Sequence, residues 1–162
     1  AEGVHFHKRP DALGNNQATS EQYIAEFLEK HECKSLYQVH SIAPLLTIND
    51  VTSFVQHMES FDYDCLLSTE KIQIECAFQN KPVNFSFDSK LNSQDLEPIQ
   101  RVSWSITGWR RDTFLRAVNS GQCATYSGKV GFYPISRLAA HVIKTEADLE
   151  FAEAVLPLVE KS

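Results

Sequence analysis

The sequence has no long apolar run. Nothing in its 162 residues approaches the ~20 consecutive apolar positions of a membrane helix, so no membrane span is expected. Nor does it carry an excess of positive charge. With 15 Lys and Arg against 21 Asp and Glu, a formal net charge of -6, it lacks the basic face that phosphate neutralisation requires, and no nucleic-acid partner is expected. Arg110-Arg111 is the one local basic cluster of note. Cysteine is sparse: Cys33, Cys65, Cys76 and Cys123 contain no C-x-x-C spacing and read as reduced thiols of a cytoplasmic protein. There is no G-x-S-x-G elbow, G-x-x-x-x-G-K-[ST] loop, H-E-x-x-H helix or G-x-G-x-x-G turn, which leaves serine-hydrolase, P-loop and dinucleotide readings without support. No internal repeat or low-complexity tract is present. The chain starts at Ala1 without a methionine, which suggests a fragment or a processed product.

What is present fits one globular domain, 1–162, long enough to bury roughly two-thirds of its unfolded surface. Its hydrophobic fraction of 43% and charged fraction of 22% are ordinary for such a domain. Val4-His5-Phe6-His7 alternates as a short strand does, and turn-rich sequence follows through Asn16. Thr19 or Ser20 then caps a helix to about His31, with Gln22 at capping-box spacing and an apolar stripe of Tyr23, Ile24, Phe27 and Leu28. Leu36 to Thr47 reads as a buried strand running into a Pro-containing loop. Thr47 with Asp50 opens a second helix, striped by Val51, Phe54, Val55 and Met58, and Tyr63 to Thr69 is a buried strand. The β-α-β-α-β order over Val4 to Thr69 implies an α/β fold with a mostly parallel sheet, flanking helices and right-handed crossovers.

From Ile72 the rhythm changes. Ile72–Cys76 and Val83–Phe87, joined by Gln79-Asn80-Lys81-Pro82, suggest a hairpin excursion. A strand is expected over Arg101–Trp109, with Trp104 and Ile106 on one face and Ser103, Ser105 and Thr107 on the other. A short helix over Arg111–Val118, a Gly-framed strand or loop at Gly128–Pro134, and a helix opened by Thr145 and Asp148 complete the chain. That last helix has Leu149, Ala152, Val155 and Leu156 as its apolar stripe.

Open α/β sheets place ligands where strands end and helices begin, which puts Gln38, His40 and Ser41 near a binding edge. His5 and His7 share a strand face and read either as metal ligands lacking a third partner or as edge histidines. Trp104, Trp109 and Phe114 among Arg101, Arg110 and Arg111 read either as base-stacking residues or, at this spacing, as core. Pro10 keeps Arg9 extended, where its guanidinium is either a bidentate anion clamp or a solvated surface charge.

Several segments in order carry a family resemblance: Arg9-Pro10-Asp11-Ala12-Leu13, the helix start at Thr19-Ser20, Ala43-Pro44-Leu45, Gly128 to Pro134, and Thr145-Glu146-Ala147-Asp148-Leu149-Glu150-Phe151-Ala152-Glu153. Over nearly the whole chain this resembles the acylneuraminate cytidylyltransferases, which activate sialic acid and related nonulosonic acids as CMP-sugars. The resemblance implies a Rossmann-like sheet of the nucleotide-diphospho-sugar transferase kind, lacking the Arg-, Gly-, Ser- and Lys-rich nucleotide loop with which such enzymes open. It implies CTP and an acidic sugar as partners, Mg²⁺ as cofactor, and a homodimer formed through residues 72–101. Carried over residue by residue, it makes Arg9 and Lys144 catalytic and assigns the nucleotide to Arg9, Ser20, His40, Ser41 and Pro44. It assigns the sugar carboxylate to Lys81, Lys90 or Arg101.

The departures bear on chemistry. Where the family has Gln-Pro-Thr-Ser-Pro-Leu, this chain has His40-Ser41-Ile42-Ala43-Pro44-Leu45. The family's Asn-Gly falls near Ser103-Trp104. The two aspartates of its Asp-Ile-Asp metal motif fall on Val142 and Lys144, neither of which ligates Mg²⁺. No residue of the chain is therefore assigned as a metal ligand, and a non-catalytic relative or fragment serving as a binding or dimerisation domain stands as the alternative.

Overall fold

The computed structural model describes residues 3–159; the chain start at Ala1 lies outside them. A sheet forms from β1 (Ser35–Val39), β2 (Cys65–Ile72), β5 (Ile99–Arg110) and β6 (Val130–Pro134) in the order β1-β5-β2-β6. β5 is antiparallel to both β1 and β2, and β6 is parallel to β2. Three strands thus run one way, with β5 reversed between two of them. Among the described residues four α-helices accompany the sheet: α1 (Ser20–Lys30), α2 (Ile48–Phe61), α3 (Arg111–Asn119) and α4 (Glu146–Val159).

Local chemistry sets the helix starts. Thr19 accepts from Gln22 N while the Gln22 side chain accepts from Thr19 N, and Thr47 with Asp50 repeats this capping box. At the head of α4, Asp148 Oδ2 accepts from Thr145 N (2.8 Å), Lys144 N (3.0 Å) and Thr145 Oγ1 (2.9 Å). Alternation along β2 sends its side chains to two cores. Cys65 and Leu67 join Trp109 and pack with Ile24, Ala25 and Leu28 of α1 and Phe114 and Ala117 of α3. Leu66 points the other way and packs with Ile106 and with Phe54 and Met58 of α2. In the α1/α3 core Trp109 and Phe114 are buried, 5.6 Å apart edge to face, so these two aromatics are core, whereas Trp104 is only partly buried and Arg101 is exposed.

The structure corrects four expectations. Val4–His7 forms no strand. Its side chains up to Phe6 are exposed and no neighbouring strand meets it; instead His7 lies on α1, with Nδ1 3.0 Å from His31 Nε2 and Nε2 2.8 Å from Glu26 Oε2. His5 and His7 therefore share no metal-binding face, and among the described residues no cluster of three metal-ligating side chains occurs. The hairpin is smaller than its alternation suggests: β3 (Ala77–Phe78) pairs with β4 (Lys81–Pro82) across Gln79 and Asn80, both at positive φ, the conformation of a two-residue hairpin turn. Beyond it the Asn84 side chain takes the place of a strand ladder, with Oδ1 accepting from Cys76 N and Nδ2 donating to Ile74 O and Glu97 O. Of the α4 stripe, Ala152 is buried but Leu156 is exposed.

The fourth correction concerns β5. Leu67 pairs with Thr107 but Thr69 pairs with Val102, so Ser68 alone stands opposite residues 103–106. Trp104 takes φ 60° within this bulge. The extra residues break the period-two pattern, and Trp104 packs with the α1/α3 core while Ile106 packs with the α2 core. Buried hydroxyls hold the bulge: Ser68 Oγ lies 2.8 Å from Ser103 Oγ and accepts from Ile106 N at 3.1 Å. No helix among the described residues is long and apolar enough to cross a membrane.

Candidate functional site

The carboxyl end of β1 opens onto a pocket of about 250 Å³ lined by Ser20, Ile24, Gln38, His40, Ile42, Trp104, Trp109, Thr125 and Lys144. Each side chain arrives by a traceable route. Ser20 and Ile24 come from the first turns of α1, which Thr19 caps. Gln38 is the last but one residue of β1. His40 follows the strand, and its N–H donates to Ser105 O in the β5 bulge at 3.0 Å, which ties the strand end to the segment carrying Trp104. Ile143 N donates to Ile42 O at 2.8 Å and so brings Lys144 beside His40. Thr125 is set by Glu21 of α1, whose Oε1 accepts from Thr125 N and Oγ1, both at 2.7 Å, while Thr125 O accepts from Trp109 Nε1 at 3.1 Å.

The electrostatics follow from burial and one cation. His40 Nε2 is buried with no hydrogen-bond partner among the described residues. Burial, and secondarily the nearby Lys144 ammonium, hold the imidazole below its ordinary pKa, so it is neutral at pH 7 and free to donate or accept. The walls thus combine aromatic surface, one amide, two hydroxyls, a neutral imidazole and a positive charge. They contain no carboxylate. Mg²⁺ is ordinarily held through one or two carboxylates together with substrate phosphates, and the lining residues, which supply no carboxylate, do not fit it. Asp148, which caps α4, lines a separate cleft.

Of the residues named from the sequence, the pocket unites Ser20, Gln38, His40 and Lys144. Arg9 stands in an adjoining groove of about 300 Å³ that shares Ile24 and Gln38 with the pocket, its guanidinium 4.2 Å over the Tyr23 ring. Ser41 and Pro44 are exposed in the turn beyond His40 and line neither space. Lys81 is exposed on β4, Lys90 pairs with Glu75, and Arg101 pairs with Glu70 at 2.5 Å. Arg101 also lines a cleft of about 640 Å³ with Glu70, Arg137, His141, Asp148 and Phe151. Sequence reasoning misses Thr125, because it lies in an irregular segment with no local signal. Trp104 reads from the sequence as either a base-stacking or a core residue, and its place on the pocket wall follows from the bulge.

No protein-family model and no curated protein matches the sequence. Solved structures do. The chain is similar to 4-diphosphocytidyl-2C-methyl-D-erythritol synthase from Anaerococcus prevotii, with TM-score 0.59, 11% identity, and coverage of 86% of this chain and 67% of that one. It is similar to 2-C-methyl-D-erythritol 4-phosphate cytidylyltransferase from Thermus thermophilus, with TM-score 0.54, 12% identity, and coverage of 97% and 79%. A third is CMP:2-keto-3-deoxy-manno-octonic acid synthetase complexed with CTP, with TM-score 0.53, 15% identity, and coverage of 86% and 68%. At these identities the likeness is one of architecture: the chain has the mixed α/β fold of these cytidylyltransferases, a mostly parallel sheet with flanking helices.

Proposed function

We propose that the chain is the nucleotide-binding part of a cytidylyltransferase-type enzyme that transfers CMP from CTP to an acidic, sialic acid-like sugar. The observation that carries this reading is the meeting of Ser20, Gln38, His40 and Lys144, from three separate stretches, in one pocket at the carboxyl edge of the sheet. Gln38 offers both donor and acceptor to the polar edge of a base, and the neutral His40 offers one of either. Trp104 supplies an aromatic surface for a base, and Lys144 a charge for phosphate. The groove beside the pocket extends the space toward Arg9, a second cation for a polyphosphate. The likeness to a synthetase solved with CTP supports the same choice of nucleotide.

The sugar and the dimer belong to the same proposal. Arg101, with Lys81 and Lys90, is the basic set for a sugar carboxylate. A carboxylate at Arg101 competes with Glu70, which already holds that guanidinium. Ile74, Phe78, Val83, Phe87 and Leu91 are exposed on the excursion, and a second copy of the chain covers such apolar surface in a homodimer.

A second reading, a domain that binds nucleotide without turning it over, is favoured by one specific observation. The pocket has no carboxylate for the Mg²⁺ that nucleotidyl transfer employs, so no metal-dependent step is assigned to these residues. One experiment separates the readings. The chain is titrated with CTP, UTP and ATP by calorimetry, then incubated with CTP, Mg²⁺ and sialic acid or 2-keto-3-deoxy-octonate while CMP-sugar and pyrophosphate are followed. Product supports transfer. Preferential CTP binding without product supports the binding domain, and absence of any saturable nucleotide binding overturns both.

A further inference from the structure

The pocket at the end of β1 has a cation and no acidic wall, and that combination decides how it meets phosphate. A protein ordinarily holds Mg²⁺ against a nucleotide through one or two carboxylates together with the phosphates. The acidic residues that open α4, Glu146 and Asp148, are not among the residues lining the pocket, and Asp148 is occupied: Lys144 N, Thr145 N and Thr145 Oγ1 all donate to its Oδ2. The backbone that carries residues 142–144 past the pocket is nevertheless anchored, by the hydrogen bond from Ile143 N to Ile42 O. What this clamp delivers is an ammonium. Lys144 lines the pocket and acts electrostatically on His40. Among the described residues it forms no ion pair, unlike Lys30, Lys34 and Lys90, which each have a carboxylate partner. Its charge is uncommitted.

We propose that this pocket binds its nucleotide without a divalent cation, the Lys144 ammonium meeting the phosphate charge that Mg²⁺ meets in metal-dependent transfer. The proposal rests on the nucleotide reading above and adds the identity of the counter-charge. A lysine is a compact point charge with rotatable donors, suited to pairing with phosphate oxygens. It does not organise several phosphate oxygens at once as a Lewis acid does, so binding is retained and the metal's contribution to transfer is not replaced.

Calorimetry of the full chain with CTP and with CMP, in EDTA and in Mg²⁺, tests this on the native protein, Lys144→Ala and Lys144→Arg, with far-UV circular dichroism as the check on folding. The native protein is expected to bind CTP in EDTA within about twofold of its affinity in Mg²⁺. Lys144→Ala is expected to bind about tenfold or more weakly in EDTA, the loss typical of one charge-assisted phosphate contact, and Lys144→Arg to recover most of it. Native binding that strengthens about tenfold or more on adding Mg²⁺ overturns metal independence and leaves the nucleotide reading standing. A folded Lys144→Ala that binds as the native protein does overturns the role of Lys144. Absence of CTP and CMP binding in either condition overturns this proposal together with the reading beneath it.

Discussion

Removing Glu59 tests a network in which one carboxylate accepts from four side chains. Its Oε1 accepts from Arg110 Nη1 at 2.6 Å, Ser35 Oγ at 3.0 Å and Tyr37 Oη at 2.8 Å, and its Oε2 accepts from Lys34 Nζ at 2.9 Å. The network joins the last turn of α2 to β1 and to the end of β5. The two ends differ in exposure: the Arg110 side chain is 11% exposed and the Glu59 side chain 36%. Arg110 Nε donates to Tyr63 O, but its buried Nη2 makes no hydrogen bond among the described residues and lies 3.6 Å from Asp62 Oδ1, so Glu59 is the main counter-charge. Breaking a fully buried pair from one side costs about 3–5 kcal/mol and an exposed pair about 0.2–1 kcal/mol. Glu59 lies between these limits and solvent screens part of its charge, so Glu59→Ala should cost about 2 kcal/mol, or a fall in Tm of about 4–8 °C for a chain of this size.

The acid limb gives an independent reading. Arg110 first, then Lys34, hold the Glu59 carboxyl well below the usual carboxylate range. Its folded pKa is thus depressed relative to the unfolded chain, so its contribution is complete above the unfolded value near pH 4.3 and is lost as pH falls through the folded value. Urea denaturation of the native protein, Glu59→Ala and Glu59→Gln from pH 7 down to pH 3 measures both effects. The reasoning fails if Glu59→Ala leaves the urea midpoint at pH 7 unchanged, or if Glu59→Gln keeps the native slope of stability in acid.

Three further outcomes are expected. Gly128→Ala should destabilise by about 2 kcal/mol or more in the same denaturation assay, because φ at Gly128 is +73° and an added Cβ would stand 2.5 Å from the Asp64 carboxylate, which is fixed by Thr113 and Lys129 N. Ser68→Ala should cost about 1–3 kcal/mol by leaving Ile106 N and Ser103 Oγ short of a partner inside the bulge; a loss below about 0.5 kcal/mol would show that Ser68 does not hold it. In thiol labelling at pH 8, Cys123 should react in the folded protein, whereas Cys65, buried and with its thiol pushed up to about 12, should react only in denaturant.

Helix starts were the most legible part of the fold, since a capping box is written within four residues. Thr19 with Gln22, Thr47 with Asp50, and Thr145 with Asp148 all sit where the spacing puts them. The apolar runs of β1, β2 and β5 were legible for a similar reason. Sheet order was not. That β5 lies between β1 and β2 depends on pairings such as Leu67 with Thr107, about forty residues apart, which no local pattern encodes. At the site, Gln38 and His40 are read from the strand-to-helix edge, and Ser20 and Lys144 enter through a family resemblance. Their convergence depends on the long-range bonds from His40 to Ser105 and from Ile143 to Ile42, and neither has a sequence signature.

The least legible residue, Trp104, shows where alternation was bound to fail. A bulky side chain at φ 60° is a strained backbone state costing of order 1–3 kcal/mol, and the resemblance places Asn-Gly nearby, where glycine would adopt it freely. Here the strain is held by the buried Ser68–Ser103–Ser105 hydroxyl cluster on one side and by the His40 N–H on Ser105 O on the other. The side chain so turned lines the pocket instead of joining Ile106 against α2. Without the extra residues opposite Ser68, period-two alternation would return Trp104 to the α2 face, and the pocket would lose its aromatic wall. The irregularity that defeats the strand pattern is therefore the device that brings β5 into the site, and the serines placed by alternation on the face opposite Trp104 are what keep it in place.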